Sequence, residues 1–179
     1  MEINGSQRLS YRFITAKDAD FLWHLDQDEA VMRYITGGKK TSMADIHGVF
    51  LPRLQAYADE NLGWGMWKVS LKASPHQGIG WVLVRPMGFF TSQRQPGNIE
   101  LGWRFHRESW GNGYATEAAT AVRDGQLKLG IKQFSAIALP ENRASINVME
   151  KLGMSFSHHL HYQDAHFDEQ VVVYTQHFQ

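Results

Sequence analysis

The stretch Trp110-Gly111-Asn112-Gly113-Tyr114-Ala115-Thr116-Glu117 follows a strand-like run and opens a helical pattern. The first amides of a helix have no partners inside it, and they share the positive end of the helix dipole. Gly111 and Gly113 let a bulky anion approach the backbone, and Ala115 keeps the first turn small. Such a turn can hold a pyrophosphate without a lysine or a metal. Taken alone, Asn112-Gly113 reads equally well as a simple tight turn. No Gly-Lys-Ser/Thr follows, so this is not a nucleoside-triphosphate loop, and no Gly-x-Gly-x-x-Gly fingerprint is present. Gly37-Gly38-Lys39-Lys40-Thr41-Ser42 has the wrong spacing for such a loop, follows no clear strand, and reads as a surface loop.

A second informative run is Leu139-Pro-Glu-Asn-Arg-Ala-Ser-Ile-Asn-Val-Met-Glu-Lys-Leu-Gly153. It predicts a short helix over 142–152, stopped by Gly153. The elements that must carry both runs follow from periodicity. Arg8–Ile14 alternates, with Leu9, Tyr11 and Phe13 on one face, as a half-buried strand does. Thr15 and Asp18 form a capping-box pattern before Leu22 and Leu25. Ser42 and Asp45 offer a second cap before Ile46, Val49, Phe50 and Leu54, where Pro52 should kink or divide the helix. Strands are expected over 64–71, 79–84, 99–105 and 134–139, with turns at 73–78 and a loop at 86–98. The helix after Gly113 carries Ala115, Ala118, Ala119 and Val122 on one face and ends at Gly130. Two last strands flank a turn near 163–168. The order is β-α-α-β-β-β-α-β-α-β-β, an α/β (α+β) chain expected to form one domain over residues 1–179 on a mixed sheet.

Taken together, the two runs resemble the GNAT acetyltransferases. The family's motif A is Gln/Arg-x-x-Gly-x-Gly/Ala; here Gly113 and Ala115 match its last two small positions, and Trp110 stands at its first. Trp110 and the Gly-Tyr-Ala-Thr-Glu-Ala continuation are similar to the branch that acetylates ribosomal-protein N-termini. The Asn142–Ser145 spacing and Glu150-Lys151-Leu152-Gly153 are similar to the family's Asn-x-x-Ser helix. The resemblance implies a largely antiparallel central sheet, flanked by helices and splayed between its fourth and fifth strands, Ile99–Phe105 and Phe134–Leu139. It implies acetyl-CoA in that gap. Backbone around Phe105, His106 and Arg107 would meet the pantetheine arm, and amides of Gly111, Asn112, Gly113, Tyr114, Ala115 and Thr116 the pyrophosphate. Asn142 would sit at the pantetheine or thioester end.

The chemistry is then direct acyl transfer to a primary amine. The acceptor must be neutral to attack, yet a Lys amine has a pKa of about 10.4 and an α-amine about 8, so a proton has to be removed. Glu100, where many members place a Glu, is the candidate base, and His106 the second candidate. Met149 stands where many members carry Tyr, so that role does not carry over; Ser145, which resembles the residue proposed in the ribosomal branch, is the candidate acid. A backbone amide on the splayed strand is the natural oxyanion donor. The acceptor expected is a protein or peptide N-terminal α-amine. The alternatives are a small amine (polyamine, amino acid or aminoglycoside), or a non-catalytic acyl-CoA-binding module.

Composition narrows the rest. There are no cysteines, which excludes disulfides, thiolate metal sites and a Cys nucleophile. Lys+Arg and Asp+Glu are both 18, which removes the electrostatic case for nucleic-acid or membrane-surface partners. Met1–Leu9 lacks a secretory apolar core, and no run is long enough for a bilayer, so a cytoplasmic monomer or homodimer is expected. His158, His159, His161 and His166 read as a solvent-facing strand, with no metal expected. Trp64, Trp67, Trp81 and Trp103 read mainly as core. Asp26, Asp28 and Glu29 form a helix end that could attract a cation; Asp164 and Asp168 could do the same or simply make a turn.

Overall fold

The computed structural model describes residues 1, 3 and 5–179. Its centre is a seven-stranded sheet in the order β1-β2-β3-β4-β5-β7-β6. The strands are β1 (Leu9–Phe13), β2 (Gly65–Leu71), β3 (Ser74–Met87), β4 (Gln95–Phe105), β5 (Gln133–Ala138), β6 (Ser155–Gln163) and β7 (Asp168–His177). Every neighbouring pair is antiparallel except β4 and β5, which run parallel. That parallel ladder is short, from Asn98 opposite Gln133 to Glu100 opposite Ser135. Beyond Glu100 the two strands part, as the splayed-sheet expectation requires.

Both faces of the sheet are covered, which is why its central strands are nearly continuously apolar. On one face lie α5 (Tyr114–Lys128) and α6 (Arg143–Lys151). Ala118, Ala119 and Val122 are fully buried against Val82, Ile99, Leu101 and Phe134. The small side chains let α5 lie close to the strands it connects. The other face carries α1 (Ala19–Leu25), α2 (Glu29–Thr36), α3 (Met43–Asp45), a π-helical turn (Ile46–Phe50) and α4 (Leu51–Tyr57). Leu22, Leu25, Ile46, Leu54 and Tyr57 pack there against Met66 and Trp81. Among the described residues, no helix is long and apolar enough to cross a membrane.

The elements depart from expectation in three places. Helix α2 is an extra element: Asp28 accepts the Ala30 amide to start it, and Gly37, at φ 70°, ends it. At Pro52 the helix is interrupted as expected: a π turn, with the Leu51 amide on the Ile46 carbonyl, precedes α4, and the proline sits in the first turn of α4 where its missing donor costs little. Strand β3 begins at Ser74 inside the expected turn, because Ser70 pairs with Gly78 and Leu71 with Ser74, leaving residues 75–77 outside the register. The 86–98 loop shrinks, since Met87 pairs with Gln95.

Helix α1 is stapled to the sheet by one carboxylate. Asp18 accepts from the Thr15 amide at 3.0 Å and from Arg12 Nη1 at 2.9 Å, and Lys68 Nζ lies 3.3 Å away. Burial opposes its charge, but the hydrogen bonds from Arg12 and Thr15 outweigh burial and bring its pKa down from 3.8 to about 2. A carboxylate depressed in the folded state stabilises it above the unfolded value. That contribution is lost as pH falls from about 4 towards 2. Asp18→Asn should therefore unfold more easily than the parent at pH 7 in urea, with the gap between them closing by pH 2; an unchanged gap would contradict this.

Candidate active site

Two chambers meet where β4 leaves β5. The first is a cavity of about 510 Å³ on the α1–α4 side, walled by Phe50, Tyr57, Trp81, Leu83, Trp103 and Phe167. The second is a groove of about 520 Å³ between the N-terminus of α5 and helix α6, reached by Phe105, Gly111, Gly113, Tyr114, Ala115 and Thr116. Tyr34, Ile35, Trp103, Arg104, Asn142 and Ser145 line both. A ligand lying in the groove can therefore present one end to the cavity.

The groove fits a pyrophosphate. Gly111 and Gly113 both have φ of 76°, a conformation that costs glycine little and other residues more. The Glu117 amide closes the first helical bond on Gly113. Among the described residues, no protein acceptor meets the amides of Gly111 to Thr116. The expected cofactor residues divide accordingly. Phe105, Gly111, Gly113, Tyr114, Ala115, Thr116 and Asn142 line the groove; His106, Arg107 and Asn112 do not. The Phe105 carbonyl accepts from Trp110 Nε1 at 2.9 Å. Asn112 turns its side-chain amide onto the carbonyls of Ser109 and Trp110, bracing the turn.

A brace that the sequence reading missed holds the same turn from behind. Arg8, on the segment entering β1, donates to Glu117 Oε2 at 2.7 Å and to the Asn112 carbonyl at 3.0 Å. Its guanidinium lies 4.6 Å from the Tyr114 ring centre. Glu117 also accepts from the Arg8 amide and Ser6 Oγ. Burial resists the Glu117 charge, yet these donors hold its pKa below the usual carboxylate value. An acidic residue in the first turn of α5 is thus neutralised by a cation more than 100 positions away, which no local pattern reveals.

At the junction, Asn142 Oδ1 caps α6 by accepting the Ser145 amide at 3.2 Å. Ser145 faces both chambers, and Met149 is buried in the cavity wall. Glu100 is 4% exposed. Arg85 grips both its oxygens, Nε and Nη2 each at 2.9 Å. Burial works against the Arg85 charge, but Glu100 more than compensates and holds the guanidinium above its ordinary pKa. His106 lines neither chamber and meets the Phe21 ring edge-on; burial lowers its pKa. Tyr34 is a further hydroxyl at the junction, missed because α2 was missed; Asp28 and Gly37 bracket that helix and are its signal.

Asp26 and Asp164 do not wait for a cation. Asp26 is 2% exposed and is bonded to Arg104 Nη1 and to Thr41 Oγ1. Asp164 makes a turn, accepting from the amides of His166 and Phe167, and pairs with Arg53 at 2.7 Å.

The acetyltransferase (GNAT) domain family matches residues 8–155. The chain belongs to this family. A 60-residue stretch is 47% identical to the uncharacterised protein YkkB of Bacillus subtilis (strain 168), spanning 33% of this chain and only 35% of that one. The uncharacterised N-acetyltransferase p20 of Bacillus licheniformis is 26% identical over 153 residues, covering 85% of this chain and 82% of its own. The fold is similar to aminoglycoside acetyltransferase AAC(6')-Ib in complex with coenzyme A (TM-score 0.76, 16% identity, 94% of each chain). It is similar also to RimL, the ribosomal L7/L12 α-N-protein acetyltransferase, in complex with coenzyme A (TM-score 0.71, 15% identity, 98% and 97%).

If Arg8 orients the phosphate turn of this GNAT domain, Arg8→Ala should weaken coenzyme A binding by about tenfold, measured by calorimetry. Arg8→Lys should recover only part of the loss, since it cannot bridge Glu117 and Asn112 with a planar fork. Unchanged affinity in both variants would remove the assigned role.

Proposed function

We propose that this GNAT domain transfers the acetyl group of acetyl-CoA directly to a primary amine seated in the aromatic cavity. The observation that carries the reading is the groove of unpartnered amides from Gly111 to Thr116, which opens into that cavity at Asn142 and Ser145. The amides would hold the pyrophosphate, and the thioester would lie at the shared junction. The edge of β4 beyond Glu100, which faces no β5 partner, offers backbone donors for the tetrahedral oxyanion.

The amine nitrogen attacks the thioester carbon, the amine proton leaves, the carbon–sulfur bond breaks, and the thiolate is protonated. With both oxygens on Arg85, Glu100 is tied to a cation, and the acceptor's proton is proposed to leave through water. An α-amine needs little help, because its pKa of about 8 leaves a useful neutral fraction near neutrality. Ser145 stands at the junction on the rigid first turn of α6 and is the proposed donor to the departing sulfur.

For the acceptor, a peptide N-terminal α-amine is the first reading, in keeping with the Trp110–Ala118 run. The second is a small amine, supported by a cavity of about 510 Å³, within the range of small-molecule sites.

Acetyl-CoA incubated with pooled peptides and amines should release thiol. Tight coenzyme A binding with no thiol release from any amine would instead leave a non-catalytic binding module. Ser145→Ala should lower kcat by at least about tenfold with little change in KM for acetyl-CoA. The rate should rise with pH along the acceptor's own ionisation, and His106→Gln should not shift that midpoint. A midpoint that moves with His106 would make the histidine the base.

A further inference from the structure

We infer that Arg53 is a positioning residue for the acceptor: it latches the β6–β7 turn in place as a wall of the aromatic cavity, where Phe167 receives an apolar group carried next to the reacting amine. The inference rests on the acetyl-transfer reading and names the kind of acceptor that site takes.

The turn is built around one carboxylate. The Asp164 amide donates to the Phe167 carbonyl at 2.8 Å, and Asp164 Oδ1 accepts from the amides of His166 and Phe167 at 2.7 and 3.1 Å. Its other oxygen takes Arg53 Nη2 at 2.7 Å and the Tyr162 hydroxyl at 3.1 Å. The Asp164 side chain is 1% exposed. Bonds within a turn fix its shape, but they do not fix where it sits over the sheet. Among the described residues, Arg53 makes the only hydrogen bond that joins residues 164–167 to the helices.

Arg53 is itself held. Its guanidinium, on α4, lies 3.8 Å from the Phe90 ring centre, a close cation–π distance. Phe90 in turn meets Phe89 and Tyr57 edge-on, at 5.0 and 6.1 Å, and Tyr57 is buried in the core of this face. A guanidinium over a ring keeps its edge free to donate. One side chain thus joins the packed helical layer to a surface turn, and removing it would leave the buried Asp164 charge without its cation.

What the latch holds is apolar. Phe167 lines the cavity and yet is 40% exposed; the Arg53 guanidinium lies 5.7 Å from its ring centre. Val49, Phe50 and Leu54, from the same helical run as Arg53, line the cavity too. An exposed ring in a concave wall has apolar surface to lose to a ligand. An acceptor with an aliphatic or aromatic group beside its amine would cover that surface.

Steady-state thiol release is measured with the amides of glycine, leucine and phenylalanine, with hexapeptides beginning with each, and with spermidine and kanamycin. In one series or the other, leucine or phenylalanine should exceed glycine in kcat/KM by at least about tenfold. Phe167→Ala, at an exposed position, should bring that ratio to within about threefold of unity. Arg53→Ala should lower it likewise, through KM for the apolar acceptor, with coenzyme A affinity within about twofold of the parent by calorimetry. Combined with Phe167→Ala it should lower the ratio no further, since both act on one contact. Equal rates across each series, turnover confined to spermidine or kanamycin, or a ratio untouched by Phe167→Ala overturns this inference alone. A ratio lost in Phe167→Ala and kept in Arg53→Ala removes the role of Arg53. No turnover of any amine overturns the acetyl-transfer reading and this inference with it.

Discussion

The molecule depends on the parting of β4 from β5 after Glu100. Three residue pairs hold the parallel ladder together, from Asn98 opposite Gln133 to Glu100 opposite Ser135; past them each strand follows its own partner, β3 or β7. A sheet cannot open in its middle without exposing polar backbone, and exposed backbone in a concave place is a ligand site. The opening is kept from collapsing on both sides. Phe134 and Leu101 seal it underneath with α5, and Arg85 and Glu100 form a buried pair at its base. A buried pair of this kind stabilises little over an apolar isostere, but it is costly to break, so it fixes where the opening starts.

The N-terminus of α5 owes its usefulness to the same connection. The parallel pairing of β4 and β5 demands a crossover helix, and that helix has to begin at the carboxyl end of β4, beside the gap. Its free amides thus point to the place where the strand edge is also free. Arg8 and Asn112 hold the turn from behind and from within, so the amides need no reorganisation to receive an anion. The proposed phosphate seat and thioester position would both follow from one topological choice.

The opposite face is assembled differently. Helices α1 and α2 and the loop between α2 and α3 are tied to the sheet by separated ion pairs, Asp18 with Arg12 and Lys68, and Asp26 with Arg104. Of the cavity's carboxylates, Asp26 and, through Arg85, Glu100 are taken up in building its walls. The charge left for a ligand is therefore set by pairing within the fold and cannot be read from residue counts in the lining.

Local signals were sufficient for much of the protein. The glycine-rich turn before an alanine-faced helix, the Asn142 cap three residues before Ser145, and the alternating strands are short-range patterns, and each formed where its periodicity placed it. Boundaries failed where local propensity met a competing partner: residues 75–77 bulge out of a ladder that begins at Ser74. Helix α2 was legible in Asp28 and Gly37 but was overlooked. Tertiary structure alone decided that Glu100 faces Arg85, that Asp26 is spent on Arg104, and that Arg8 reaches Glu117. The reason is physical. Hydrogen-bond and dipole effects along a helix or strand act between residues a few positions apart and leave a periodic trace. Charge pairing joins residues distant in sequence, and its outcome depends on which surfaces the packed core brings into contact.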